Sequence, residues 1–198
     1  MPGIVVPFRG PDGKSRLSFG SDEDRAGLAL AMLADVLEAA HAVGPTVLVT
    51  SDEQAMRLGT EVVPDPGRGQ GAAVAAGLER LPEGAALVVN ADLPCATPRD
   101  LLALLGSMPP GGIALAPAAD GTTNALALSS PRQFASLYGA GSAGRFLGHA
   151  RGNGVECAAA SVPNLVDDVD TAEDLARVEG RVGPRTRAAL ASVRVGAS

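Results

Sequence analysis

Three aspartates carry the most chemistry in this sequence. Asp92 follows the apolar run that opens "VVNADLPCATPRDL" (88–101), and Asp168 and Asp170 make a D-x-D within "LVDDVDT" (165–171). Side chains alternate along an extended chain, so the two members of a D-x-D lie on one side. Three carboxylates gathered at one place suit a hard cation with oxygen ligands, Mg2+ first among them. A structural account competes: Asp92 could cap a turn, and Asp170 or Thr171 the final helix. Taken singly, each aspartate reads first as a cap. The three together weigh more as a metal site.

Several Gly-rich turns offer cationic and polar groups. In "RGPDGKSR" (9–16), Arg9, Lys14 and Arg16 stand with Gly10 and Gly13 beside a strand end, a combination suited to a triphosphate. Its spacing is neither GxxxxGK[ST] nor GxGxxG, and a solvated turn accounts for it equally well. In "PDPGRGQGAAVAAG" (64–77), Gln70 offers amide groups to a base edge and Arg68 can reach phosphate. The bland account is a tight strand-to-helix connection. "DGTTNALAL" (120–128) and "GAGSAGRF" (139–146) are two further small turns. The second enters a helix, so Ser142 can serve an anion or simply cap its own helix. His41 and His149 read as helix-face residues, and no GxSxG is present. The chemistry indicated is attack by a group that is already an anion, such as a phosphate. That needs a metal, cations and positioning rather than a side-chain nucleophile or general base.

These groups must be positioned by alternating strands and helices. Strands are expected at 3–8, 46–50, 61–65, 85–94, 112–117, 124–129 and 155–161, each a short apolar run. A helix capped by Ser21 and acidic in its first turn runs to Gly44-Pro45. Further helices are expected at 51–59, 72–81, from Thr97-Pro98, near 131–138, at 142–151 and at 171–180. Continuous apolar strands alternating with helices imply a mostly parallel sheet covered on both faces, with ligands beyond the strands' carboxyl ends. One domain over 1–181 is expected, followed by a basic, loosely held tail over 182–198.

Composition narrows the partners. Lys14 is the only lysine and the net charge is -6, which argues against nucleic acid and anionic membranes. Aromatics at 3% leave no base-stacking platform. No apolar run approaches a membrane span and no signal peptide is recognisable, so a cytoplasmic protein is expected. Cys95 and Cys157, far apart, read as free thiols. Nothing in the sequence decides between a monomer and a homodimer.

The order of the motifs resembles a known family. "VVPFRGPDGKSRLS", "VPDPGRGQGAAVAAG", "VVNADLPCATPRDL", "AADGTTNALAL", "YGAGSAGRF" and "VDDVDTAEDL" follow the order of the guanylyltransferases of deazaflavin coenzyme F-420 biosynthesis. The match covers about residues 3 to 178. The resemblance implies the three-layer, Rossmann-like nucleotide-diphospho-sugar transferase fold, a mostly parallel mixed sheet shared with the molybdenum-cofactor guanylyltransferases. It implies Mg2+ on Asp92, Asp168 and Asp170, and contacts from Thr123, Gly139 and Ser142 to a phosphorylated three-carbon acid. Lys14 and Arg16 would lie over the GTP triphosphate and act with Asp92 in catalysis. The turn holding Arg68 and Gln70 would lie near guanine.

Two departures stand out. The Gly-Gly opening of the wider superfamily is absent, which points away from a molybdopterin acceptor. Gln70-Gly71 stands where Leu-Asn is usual. Phosphoenolpyruvate, 2-phospholactate and 3-phosphoglycerate are the candidate acceptors, and the bacterial-looking composition tilts toward phosphoenolpyruvate. The alternatives are a related transferase with a molybdopterin or sugar-phosphate acceptor, and a non-catalytic nucleotide-binding regulator.

Overall fold

A computed structural model describes residues 1–10 and 20–196. Strand β1 (Gly3–Pro7) is followed by helix α1 (Asp22–His41), then β2 (Thr46–Val49), α2 (Glu53–Met56), β3 (Glu61–Val63) and α3 (Gln70–Leu78). The chain continues through β4 (Ala86–Val89), α4 (Pro98–Gly106), β5 (Ile113–Pro117), β6 (Thr123–Leu128) and α5 (Ser142–Gly152). It closes with β7 (Cys157–Ala159), α6 (Ala172–Val178) and α7 (Pro184–Gly196). Ser21 and Thr97 cap their helices as expected, each within a reciprocal capping box.

The seven strands form one sheet in the order β3-β2-β1-β4-β6-β5-β7. All pairings are parallel except those of β6, which runs antiparallel to both β4 and β5. Period-two alternation divides the apolar strands between two cores. Ile4, Val6, Leu87 and Val89 face α1 and α4, where Leu33, Val36, Leu101 and Leu104 meet them. Val5, Val88, Leu115 and Leu126 face α3 and α5, against Val74, Leu78 and Phe146. The molecule is therefore the three-layer α/β arrangement expected. β2 and β3 lie on one side of β1 and β4 on the other, so the order reverses between β1 and β4. In open α/β sheets that reversal opens a crevice at the carboxyl ends. No helix among the described residues is long and apolar enough to cross a membrane.

Two expectations fail. The segment 131–138 holds only a single 3-10 turn, Pro131–Gln133, and Phe134 is already extended. The carbonyls of Leu137 and Tyr138 accept from Arg145 instead of from a helix of their own. Within the segment expected as a loose tail, Pro184–Gly196 form α7, packed on α1. The Asp35 carboxylate, in the middle of α1, accepts from Arg185 N at 3.0 Å and Thr186 N at 2.9 Å, capping α7 from across the fold. Leu190 and Val182 are buried with Leu28, Met32 and Leu175 in a third core. Asp35 reads as one more polar residue of an amphipathic helix, and its partners lie 150 and 151 residues away.

Candidate active site

Asp92 sits where β4 leaves the sheet. Leu93 is fully buried and Pro94 cannot continue a strand ladder, so the chain anchors and turns just past the carboxylate. The Asp92 carbonyl accepts from Val169 N at 3.0 Å, which stitches the D-x-D segment beside it. Val169 is buried among Leu28, Met32 and Cys95, so alternation turns Asp168 and Asp170 to the other side. Carboxylate oxygens of Asp92, Asp168 and Asp170 lie within 4.8 Å of one another. The capping role left open for Asp170 falls to Thr171, whose hydroxyl accepts from Asp174 N. Asp167 is taken by arginines, Arg181 at 2.9 Å and Arg177 at 3.3 Å.

Electrostatics mark the same cluster. Burial, and next the neighbouring Asp92 carboxylate, push the Asp168 carboxyl up to about 6. Three carboxylates crowded this closely are a donor set that a divalent cation fits, and these three residues could hold one. Asn124, 1% exposed, steadies the segment from β6. Its amide nitrogen donates to Leu165 O at 3.0 Å and Val166 O at 3.1 Å, and lies 3.4 Å from Asp168 Oδ1.

A cleft of about 280 Å3 opens between the ends of β1 and β4, lined in part by Phe8, Arg9, Gly10, Gln70, Asp92 and Asp170. Gln70 begins α3, and its Nε2 donates to Asn90 Oδ1 at 2.7 Å. Asn90 Nδ2 in turn donates to Thr123 O at 3.3 Å. Next to Gln70, a Cβ on Gly71 would collide with Ser136 Oγ, so glycine is required where α3 meets the segment before α5. Arg68 is exposed on the turn before α3.

Thr123, Gly139 and Ser142 form a second group. Ser142 Oγ lies 3.1 Å from Thr123 Oγ1, both residues being buried, and Ser142 N donates to Gly139 O at 3.0 Å. Asn90 joins this group to Gln70. Lys14 and Arg16 lie outside the described residues. Both cysteines are free, and burial pushes each thiol up, so neither is poised as a nucleophile. Asn90 and Asn124 escaped the sequence reading, although both stand inside motifs that it singled out. The available signal was an asparagine, a poor strand former, at a strand end.

The comparisons with known proteins agree with this geometry. The family model described as "Guanylyl transferase CofC like" matches residues 3–193. The chain is 39% identical to the phosphoenolpyruvate guanylyltransferase of Streptomyces scabiei, over 97% of both chains. It is 36% identical to the 2-phospho-L-lactate guanylyltransferase of Haloferax volcanii, over 90% of this chain and 86% of that one. With the 3-phospho-D-glycerate guanylyltransferase of Phenylobacterium zucineum it shares 34% identity over 98% and 97%. Among solved structures, the 2-C-methyl-D-erythritol 4-phosphate cytidylyltransferase of Thermus thermophilus superposes with a TM-score of 0.64, at 15% identity over 91% and 98% of the chains. The fold is that of the nucleotide-diphospho-sugar transferases.

Proposed function

This chain belongs to the family of CofC-like guanylyl transferases, and we propose that it joins GMP from GTP to phosphoenolpyruvate, releasing pyrophosphate, as a step of coenzyme F-420 assembly. The observation that carries the reading is the convergence of Asp92, Asp168 and Asp170 on the crevice between β1 and β4. A phosphate oxygen of the acceptor attacks the α-phosphorus of GTP. The new P–O bond forms as the bond to the bridging oxygen of the β-phosphate breaks, and pyrophosphate leaves. The attacking oxygen is already anionic, so no base has to deprotonate it.

The chain's own groups divide the remaining work. Asp92, Asp168 and Asp170 would hold Mg2+, which when bound neutralises phosphate charge and orders the reactants. Lys14 and Arg16 offset charge on the triphosphate, as the family resemblance implies. Gln70 and Arg68 face the nucleotide, and Thr123, Gly139 and Ser142 take the acid. The acceptor is assigned to phosphoenolpyruvate because the relative at 39% identity bears that name. Incubating the protein with GTP, Mg2+ and each of the three phosphorylated acids in turn tests this directly. Pyrophosphate should appear with phosphoenolpyruvate and fall away with ATP or CTP. Release only with 2-phospholactate or 3-phosphoglycerate would move the acceptor. Release with none of the three acids would sink the reading.

A further inference from the structure

The loop that carries Gly139 into α5 is held by one side chain. Arg145 Nε and Nη2 both donate to Leu137 O, at 3.1 and 2.8 Å, and Nη2 also donates to Tyr138 O at 3.0 Å. Nη1 donates to Ala140 O. Most of the guanidinium's donors are thus spent on backbone carbonyls of a single loop. In a trans peptide the N–H points opposite to the preceding C=O. The N–H groups of Tyr138, Gly139 and Gly141 are therefore turned away from Arg145. Gly139 and Gly141 have φ of 109° and 69°, a region that glycine enters freely, and glycines leave the loop little stiffness of its own.

The placement of Arg145 is not explained by its helix. A cation in the first turn of α5 opposes the helix dipole, which favours negative charge there. What the residue does is fix a glycine-bearing loop that adjoins Thr123 through Ser142 and α3 through Ser136 and Gly71. We propose that Arg145 is a positioning residue for the phosphorylated acid. It holds 137–141 in the one conformation in which Gly139 and Ser142 can receive that substrate. This rests on the reading of Thr123, Gly139 and Ser142 as the acceptor's contacts.

The test is the division of the effect between the two substrates, measured on the full chain with Arg145→Met and Arg145→Lys. In Arg145→Met the KM for the acid should rise about tenfold or more, because small misplacements of a substrate are costly. The KM for GTP should stay within about twofold, since that site is built by other elements. Lysine keeps the charge but not the fork, so Arg145→Lys should recover only a minor part of the loss. Calorimetric titration of phosphoenolpyruvate into wild type and variants, beside thermal melts, gives a readout independent of turnover. An unchanged KM and affinity for the acid in Arg145→Met overturns the inference. So does a rise in both KM values in step with a fall in melting temperature, which is what a purely structural strap would give. If wild type neither binds nor uses any phosphorylated acid, the functional reading fails and the inference with it. If wild type turns over and the variant matches it, the inference alone fails.

Discussion

At the scale of single residues, the acidic cluster makes two predictions. Asp92→Ala should abolish pyrophosphate release while leaving the fold intact, since Leu93 and the β4 ladder still anchor the chain. Near-normal turnover in that variant would remove Asp92 from the proposed metal site. Asp168 gives a pH dependence with a definite sign. Its carboxyl is raised to about 6, by burial first and then by Asp92. A raised acid supports folding while protonated, so its contribution is complete below about 4 and lost as pH rises through about 6. Metal-free wild type should therefore fall in melting temperature relative to Asp168→Asn between about pH 4 and about pH 7, the two converging at the acid end. Mg2+ should restore wild type above about pH 6, where Asp168 is ionised and can bind it. A gap between the two proteins that ignores pH would contradict the assignment. The clustering of the three aspartates was legible because their residue type and the D-x-D spacing point to it. Asn124 was not, because its function lies in which three oxygens of 165–168 surround it.

At the scale of elements, the segment that the sequence least explained is α7. Its Arg and Ala content reads as solvated tail, and its short apolar side chains give no strong face of their own. Its helix is set by tertiary partners: Asp35 supplies the cap and the third core buries Leu190. Leu190→Ala should cost about 2 to 4 kcal/mol in denaturant titration, as for a buried leucine, whereas a tail position would cost under about 0.5. Asp35→Ala should cost about 1 to 2 kcal/mol by leaving two helix N–H groups without their acceptor. The same core holds Val169, so both changes should also weaken Mg2+ binding, measurable by titration without turnover. Loss of stability with unchanged Mg2+ affinity would separate α7 from the site. The strands were readable because most are short, largely apolar runs between turns. The segment 131–138 was misread as helix because its apolar spacing belongs to packing of Phe134, Tyr138 and Phe146 rather than to a helix face.

At the scale of the whole molecule, alternating strands and helices made a doubly covered sheet legible, but not which strand reverses. β6 is the antiparallel one, and that reversal brings Thr123 and Asn124 to the end where β1 and β4 part. A thread of hydrogen bonds then crosses the crevice, from Gln70 on α3 through Asn90 and Thr123 to Ser142 on α5. Its polarity follows from one backbone group. The Thr123 carbonyl only accepts, so Asn90 must turn Nδ2 toward it and Oδ1 toward Gln70. Gln70 must then give Nε2 to Asn90, which leaves Oε1 on a side chain that lines the cleft. Asn90→Asp keeps the size of the side chain and removes its only donor, setting a carboxylate against the Thr123 carbonyl. It should cost about 1 to 3 kcal/mol of stability. More diagnostically, it should raise the KM for GTP and for the acid together, because Gln70 and Thr123 lose their orientation at once. Gln70→Leu removes only the Gln70 end of the thread and, on the proposed function, should raise the KM for GTP alone. Steady-state kinetics with each substrate varied in turn distinguishes the two patterns. An Asn90→Asp enzyme with both KM values intact would mean that the two halves of the crevice are held independently.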